Sequence, residues 1–254
     1  MDIQQLKSLK ILVIGDSCED VYHFGDVKRL SPEAPVPVFN LLYSRSHPGM
    51  AANVKTNLVA LGASVDFVTN VEKIYKERYI NTSTRQHMLR VDKGESAPTT
   101  PLSIASLPTL SQYDAVVISD YNKGFVSDAV ARHIINNFQG PVFVDSKKKD
   151  LSVYEGCVIK INESERATVE SLPERCEMVV TLGPDGALWN DEIYPTESVE
   201  VFDVCGAGDT FFSALACAYL LTKKIDLAIK FANRCANISV QRLGTYAPTL
   251  EEIE

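Results

Sequence analysis

The chain has 254 residues, enough to bury one large core or two small ones. Hydrophobic residues make up 45% and charged residues 23%, the balance of an ordinary globular protein, and a net charge of −8 argues against a nucleic-acid surface. No apolar run reaches the roughly 20 residues a membrane helix needs, and the polar start "MDIQQLKSLK" does not read as a signal peptide, so no membrane partner and a cytoplasmic location are expected. The six cysteines (Cys18, Cys157, Cys176, Cys205, Cys217, Cys235) form no C-x-x-C pair and read as reduced, mostly buried apolar residues. Neither they nor the four histidines cluster at metal-ligand spacing, which argues against zinc.

In chain order, "ILVIGD" (11–16) reads as a first buried strand. The stretch 21–46 holds Pro32, Pro35 and Pro37, which excludes a helix and suits edge strands or an extended flap. "AANVKTNLVALGA" (51–63) has a helical pattern, "SVDFVTN" (64–70) is a second strand, and residues 77–93 alternate like a half-exposed hairpin. Strands follow at 115–120, 141–146, 157–162 and 178–183, with a helix over 127–138 between the first two. This alternation predicts an α/β fold with a doubly wound, mainly parallel sheet, in a single domain over 1–254. The segments near 21–46 and 77–93 are expected to form a small β-flap lid that keeps water from the site. Ligands of such sheets sit beyond the carboxyl ends of the strands, which here carry Asp16, Asn70, Asp120, Asp145, Asn162 and Gly183.

"VFDVCGAGDTFFSALACAYLL" (201–221) joins a glycine turn to an apolar helix. The first amides of such a helix form an anion site. Asp209 inside it would compete with a bound phosphate but is well placed to take a proton from a hydroxyl attacking one. The same stretch also fits a tight connection with Asp209 as an early-helix charge. "INESE" places Asn162 and Glu165 beyond a strand, where they suit either a hydrated metal on phosphates or a helix capping box. Thr181, Gly183 and Gly186 of "VTLGPDGALW" fit a hairpin turn or a phosphate contact.

The ordered set "GDSCED", "RLSPEAPVPV", "HPGMAANV", "SDYNKG", "VDSKKKD", "INESE", "FDVCGAGDTF" and "FANRCANISVQRLGT" resembles the ribokinase-like (PfkB) carbohydrate kinases. Within them it is most similar to the D-glycero-β-D-manno-heptose 7-phosphate kinase domain of bifunctional heptose enzymes, from about residue 11 to the C-terminus. The resemblance implies transfer of the γ-phosphoryl group of ATP to a sugar hydroxyl, with Mg2+ and, in some relatives, a monovalent cation such as K+. It implies Asp209 as general base and Gly206, Ala207 and Gly208 as an anion hole. On the acceptor side it implies Asp16, Asp20, Gly49, Asn53, Asp120 and Lys123. On the nucleotide side it implies Lys147, Asn162, Thr181, Gly183, Gly186 and Asn233, with Glu165 and Asp203 near metal ions. A homodimer paired through the flap is also expected.

Four departures qualify the resemblance. Met50 stands where relatives have glycine, Cys205 where heptose kinases usually have threonine, and Asn237 where a small residue borders the nucleotide pocket. A few tens of residues that relatives carry after "FVTN" are missing, which removes part of the acceptor rim. The match ends at "TLEEIE", before the nucleotidyltransferase domain of the bifunctional enzymes, which is therefore not expected. Two alternatives stay open: a PfkB kinase for another sugar or sugar phosphate, and a catalytically impaired ligand-binding homologue. A Rossmann oxidoreductase is disfavoured, because the first strand leads into "GDSCED" and lacks G-x-G-x-x-G.

Overall fold

Five consecutive buried residues, Ile11 to Gly15, follow Lys10 in the first strand, as both faces of a central parallel strand require. The computed structural model describes residues 3–253; Met1 and Asp2 of the polar N-terminal start lie outside them. Its strands and helices run β1 (Lys10–Gly15), β2 (Ser17–Leu30), β3 (Pro37–Met50), α1 (Ala51–Ala60), β4 (Ser64–Thr69), β5 (Tyr75–Asn81), β6 (Gln86–Lys93), β7 (Ala115–Asp120) and α2 (Asp128–Asn137). They continue with β8 (Val142–Ser146), β9 (Val158–Asn162), α3 (Glu163–Arg166), β10 (Glu177–Thr181), β11 (Ala187–Trp189), β12 (Glu192–Tyr194), α4 (Ala207–Thr222), α5 (Ile225–Val240) and α6 (Leu250–Ile253).

The larger sheet has eight strands in the order β12-β11-β10-β9-β8-β7-β1-β4. Six are parallel, from β4 through β10, and only β11 and β12 run antiparallel at one edge. Alternate residues of β1 feed two cores: Ile11 and Val13 pack with α1, α4 and α5, while Leu12 and Ile14 pack with α2 and the segment around Tyr154. The fold is therefore a three-layer α/β/α arrangement. Helix α4 is apolar nearly all round because it lies between α1 and α5 with Phe211, Phe212 and Leu215 buried. β1 lies between β4, which follows it on one side, and β7, which opens the run of strands on the other. The crevice beyond the ends of β1 and β7 is the place where such a sheet presents a ligand site.

The smaller sheet has four strands in the order β3-β2-β5-β6. The proline cluster acts as expected: β2 stops at Leu30 and β3 restarts at Pro37, a strand's first residue, where the missing N–H costs no ladder bond. Only residues 70–74 link β4 to β5, and that short link lays β5 parallel beside β2. Among the described residues, no helix is long and apolar enough to cross a membrane.

Candidate active site

Helix α4 begins at Gly206, whose φ of 79° is left-handed and suits glycine. A Cβ at this position would lie 2.8 Å from Asn53 Nδ2, so the missing side chain also lets Asn53 approach. Asn53 uses that approach to donate to Asp209 Oδ2 at 2.8 Å, while the Tyr121 hydroxyl donates to Oδ1 at 3.0 Å. Asp209 is buried, and burial pushes its carboxyl up to about 6; neighbouring Asp145 adds to the rise, and Asn53, Lys160 and Tyr121 oppose it. A carboxylate so tuned is poised to accept a proton near neutral pH. Of the three turn amides, that of Ala207 donates to Val204 O at 3.2 Å, while Gly208 and Asp209 belong to the first turn, whose amides lack helical partners.

Lys160 stands directly beside this turn. Its Nζ lies 3.1 Å from where a Cβ of Gly208 would be, and it pairs with Asp145 Oδ2 at 2.8 Å. Burial pulls the Lys160 ammonium down, but the Asp145 charge outweighs it and holds the group above its usual range. Asp145 Oδ1 is buried without a hydrogen-bond partner among the described residues.

The residues expected on the acceptor side divide into two kinds. Asp16 and Asp120 are fully buried and spent on scaffolding. Asp16 Oδ2 accepts the Tyr121 N–H at 2.9 Å and the Lys123 N–H at 3.4 Å, tying the loop after β7 to the end of β1. Burial and nearby Asp120 raise the Asp16 carboxyl. Asp120 accepts from Asn122 N, Ser146 Oγ and Tyr154 OH, with Lys148 Nζ at 3.3 Å, so it braces the neighbouring strand. Asp20 and Gly49 belong to β2 and β3 of the smaller sheet, Asn53 to α1, and Lys123 to the loop after β7. Asp20 pairs with Arg78, and a Cβ on Gly49 would collide with Asp20 and Cys18. Glu95 bridges Lys123 at 2.9 Å and Lys76 at 3.4 Å, and the two ammoniums hold its carboxyl below the usual range against the opposing effect of burial. Met50 is buried at the N-cap of α1 with φ 59° and ψ −133°, a backbone region that glycine alone enters freely. Its side chain packs with Cys18, Ile74 and Tyr121, contacts that hold it in a strained conformation.

On the other side of Asp209 lies a cavity of about 470 Å³, large enough for a nucleotide. It brings together Thr181, Gly183, Gly186, Asn233, Ala207 and Gly208, all six expected from the sequence. Gly186 has φ 94°, and a Cβ there would strike Tyr194 O at 2.1 Å. Asn233 Nδ2 donates to Tyr194 O at 2.9 Å, so its amide braces the wall of the cavity. Asn237 also lines it, accepting from Thr196 Oγ1 at 2.9 Å.

Asn162 and Glu165 form a complete capping box at the start of α3. The Glu165 carboxylate additionally pairs with Lys147, whose Nζ also lies 5.1 Å from the Tyr121 ring centroid. Burial works to raise the Glu165 carboxyl, but Lys147 and the Asn162 N–H hold it below its usual range. Asp203 accepts the N–H groups of Cys205 at 2.9 Å and Gly244 at 3.0 Å, clasping the turn before α4 to the chain after α5. Among the described residues, no group of three or more acidic, histidine or cysteine side chains is arranged to hold a metal by itself.

Sequence reasoning passed over Tyr121, Lys160, Asp145 as a paired group, Lys76, Arg78 and Glu95. Lys160 did leave a signal, because a lysine inside the apolar run "VIKIN" is buried only if paired. Tyr121 left none, since an aromatic residue beside a strand end reads as packing.

The model of the pfkB family carbohydrate kinases matches residues 155–253. The bifunctional protein HldE of a Nitratiruptor species is 32% identical over 296 positions, covering 96% of this chain and 64% of that protein. HldE of Campylobacter curvus is 33% identical over 306 positions, covering 98% of this chain and 65% of that protein. The chain thus spans just under two thirds of these relatives. The aligned spans exceed the 254 residues of the chain, so the relatives carry tens of residues within the match that this chain lacks. Among solved structures, the ribokinase of Thermotoga maritima superposes with a TM-score of 0.69 at 20% identity, covering 96% of this chain and 98% of that one. Phosphofructokinase-2 of Escherichia coli, solved with potassium, gives 0.69 at 16% identity, with 96% and 97% covered. Identities this low establish the shared fold.

Proposed function

We propose that the chain, which has the ribokinase-like fold and matches the pfkB carbohydrate kinase model over residues 155–253, is a carbohydrate kinase of that family and phosphorylates the anomeric oxygen of D-glycero-D-manno-heptose 7-phosphate with ATP. The observation that carries the reading is the Asp209 carboxylate, held by Asn53 and Tyr121 between the large cavity and the charged rim under the smaller sheet. The cavity fits a nucleotide, with its phosphates directed at the first turn of α4. Asp209 takes the proton of the acceptor hydroxyl as its oxygen bonds to the γ-phosphorus, and the bond from that phosphorus to the bridging oxygen of ADP breaks. The Gly208 amide of the Gly206–Gly208 turn and the Lys160 and Lys147 ammoniums face the charge that develops on the transferred group, while the Ala207 amide stays on Val204 O.

Glu165 suits a hydrated Mg2+ carried on nucleotide phosphates, because such an ion needs only one or two carboxylates. Mg2+ supplies counter-charge when bound. A monovalent cation such as K+ is proposed beside Asp203, whose two protein hydrogen bonds use about half the capacity of a carboxylate. Asp20, Asn53, Lys123 and the neighbouring Lys76 and Arg78 suit the hydroxyls and phosphate of the acceptor. The smaller sheet is proposed as the lid and, through exposed Leu41, Leu42 and Leu89, as a face for a second copy. Light scattering at micromolar concentration should then give twice the monomer mass; monomer alone would remove the dimer.

A coupled ADP-release assay over heptose, hexose and pentose phosphates tests the acceptor. Heptose 7-phosphate should lead. A kinase for another sugar phosphate is the second reading, favoured by buried Met50 and the shortened link at residues 70–74. It prevails if a hexose or pentose phosphate turns over faster.

A further inference from the structure

The loop after β7 sends one phenol into the site, and nothing in the proposed mechanism above uses it as more than a contact. We infer that Tyr121 is a positioning residue for proton transfer: its hydroxyl fixes the plane of the Asp209 carboxylate and keeps that carboxylate ionised while the acceptor approaches. The inference rests on the proposed kinase reading of Asp209.

Tyr121 donates to Asp209 Oδ1 at 3.0 Å, and Asn53 donates to Oδ2 at 2.8 Å. One donor on each oxygen removes rotation about the bond to the carboxyl group. Two hydrogen bonds still leave about half of the four lone-pair directions for an incoming hydroxyl. The phenol itself is held on three sides. Its backbone N–H is fixed by Asp16 Oδ2 at 2.9 Å, its ring packs on Met50, and the ammoniums of Lys76 and Lys147 lie 5.4 and 5.1 Å from its centroid. Burial, then the Asp209 charge, keeps the phenol protonated far above neutral pH, so it acts as a donor throughout the working range.

Other groups also face Asp209 and set its baseline: Asp145 from β8, Lys160 from β9, Cys18 from β2 and Asn53 from α1. None of these changes when the Tyr121 hydroxyl is removed. Tyr121→Phe keeps the ring and its cation contacts and deletes only the donor, so it isolates the hydrogen bond.

In Tyr121→Phe, kcat should fall about tenfold with KM for ATP unchanged. The acid limb of the kcat profile should move up by about one pH unit, because the ionised carboxylate loses a donor. A readout independent of turnover is the urea midpoint. The deficit of Tyr121→Phe against the unaltered protein should grow between pH 5 and pH 8, and become independent of pH when both carry Asp209→Asn. An acid limb that overlays the parent profile, or a stability deficit that is flat with pH, overturns the inference. If the parent protein releases no ADP with any sugar phosphate, the kinase reading fails instead, and the urea series still decides whether Tyr121 acts on Asp209.

Discussion

The two sides of Asp209 are built on opposite plans. On the nucleotide side, small residues and glycines surround about 470 Å³ of open cavity, with amides such as that of Asn233 turned back to brace the wall. On the acceptor side, three cations already hold anions: Arg78 with Asp20, and Lys76 and Lys123 with Glu95. In the proposed kinase the first side would recognise by shape and the second by exchange of charge. A ligand entering the second must replace carboxylates that are already in place, so its phosphate competes with the protein's own anions. In the proposed kinase that arrangement would select doubly charged groups over neutral hydroxyls.

The largest test acts at the boundary between the two. Asp209→Asn should lower kcat by about 10²–10⁴ while ADP binding, measured by calorimetry, stays within a few-fold. The same change should stabilise the protein at pH 8 by about 1–3 kcal/mol, because the charge of Asp209 is buried at a cost. The sign follows from a folded-state value of about 6 against an ordinary 3.8: this group's contribution to stability falls as pH rises through that window, and its catalytic form appears over the same window. Urea unfolding at pH 4 and pH 8 reads the difference, and equal effects at both would contradict the assignment.

Next is Lys160→Met, which strands the Asp145 carboxylate in the interior. A loss of about 3–5 kcal/mol is expected, with partial recovery in Lys160→Met combined with Asp145→Leu; denaturant titration measures both. A third test is the parent pH profile. Turnover should fall about tenfold per unit below a midpoint near pH 6, and a profile flat down to pH 5 would place the proton elsewhere. The smallest effect belongs to the rim. Glu95→Gln frees Lys76 and Lys123 and should lower KM for a phosphorylated acceptor about two- to five-fold with kcat unchanged; an unphosphorylated sugar should show no such change.

The contrast between the two sides also explains what could be read in advance. The apolar runs of the parallel strands are continuous because both faces are buried, so β1, β7, β8 and β9 were legible one by one. The turns at Gly183, Gly186 and Gly206 were legible too, since local backbone geometry imposes glycine there, but only the resemblance assigned them to a nucleotide. The acceptor side was not legible. Asp16, Asp20 and Asp120 look alike in the sequence, yet Asp16 and Asp120 hold loops while Asp20 pairs with Arg78 of the neighbouring strand β5. Which way a carboxylate turns depends on partners such as Tyr154 and Arg78, far away in the chain. The "INESE" motif shows the limit from another direction: the capping box and the ligand-facing carboxylate are one and the same group, so neither reading excluded the other.

The contact between Lys160 and the glycine turn restricts which variants the fold can tolerate. Any side chain at residue 208 meets an ammonium that Asp145 holds in place, so the ammonium cannot easily yield the few tenths of an ångström required. The residue allowed at 208 therefore depends on the one at 160, and a mutant library that randomises residue 208 alone should return mainly glycine.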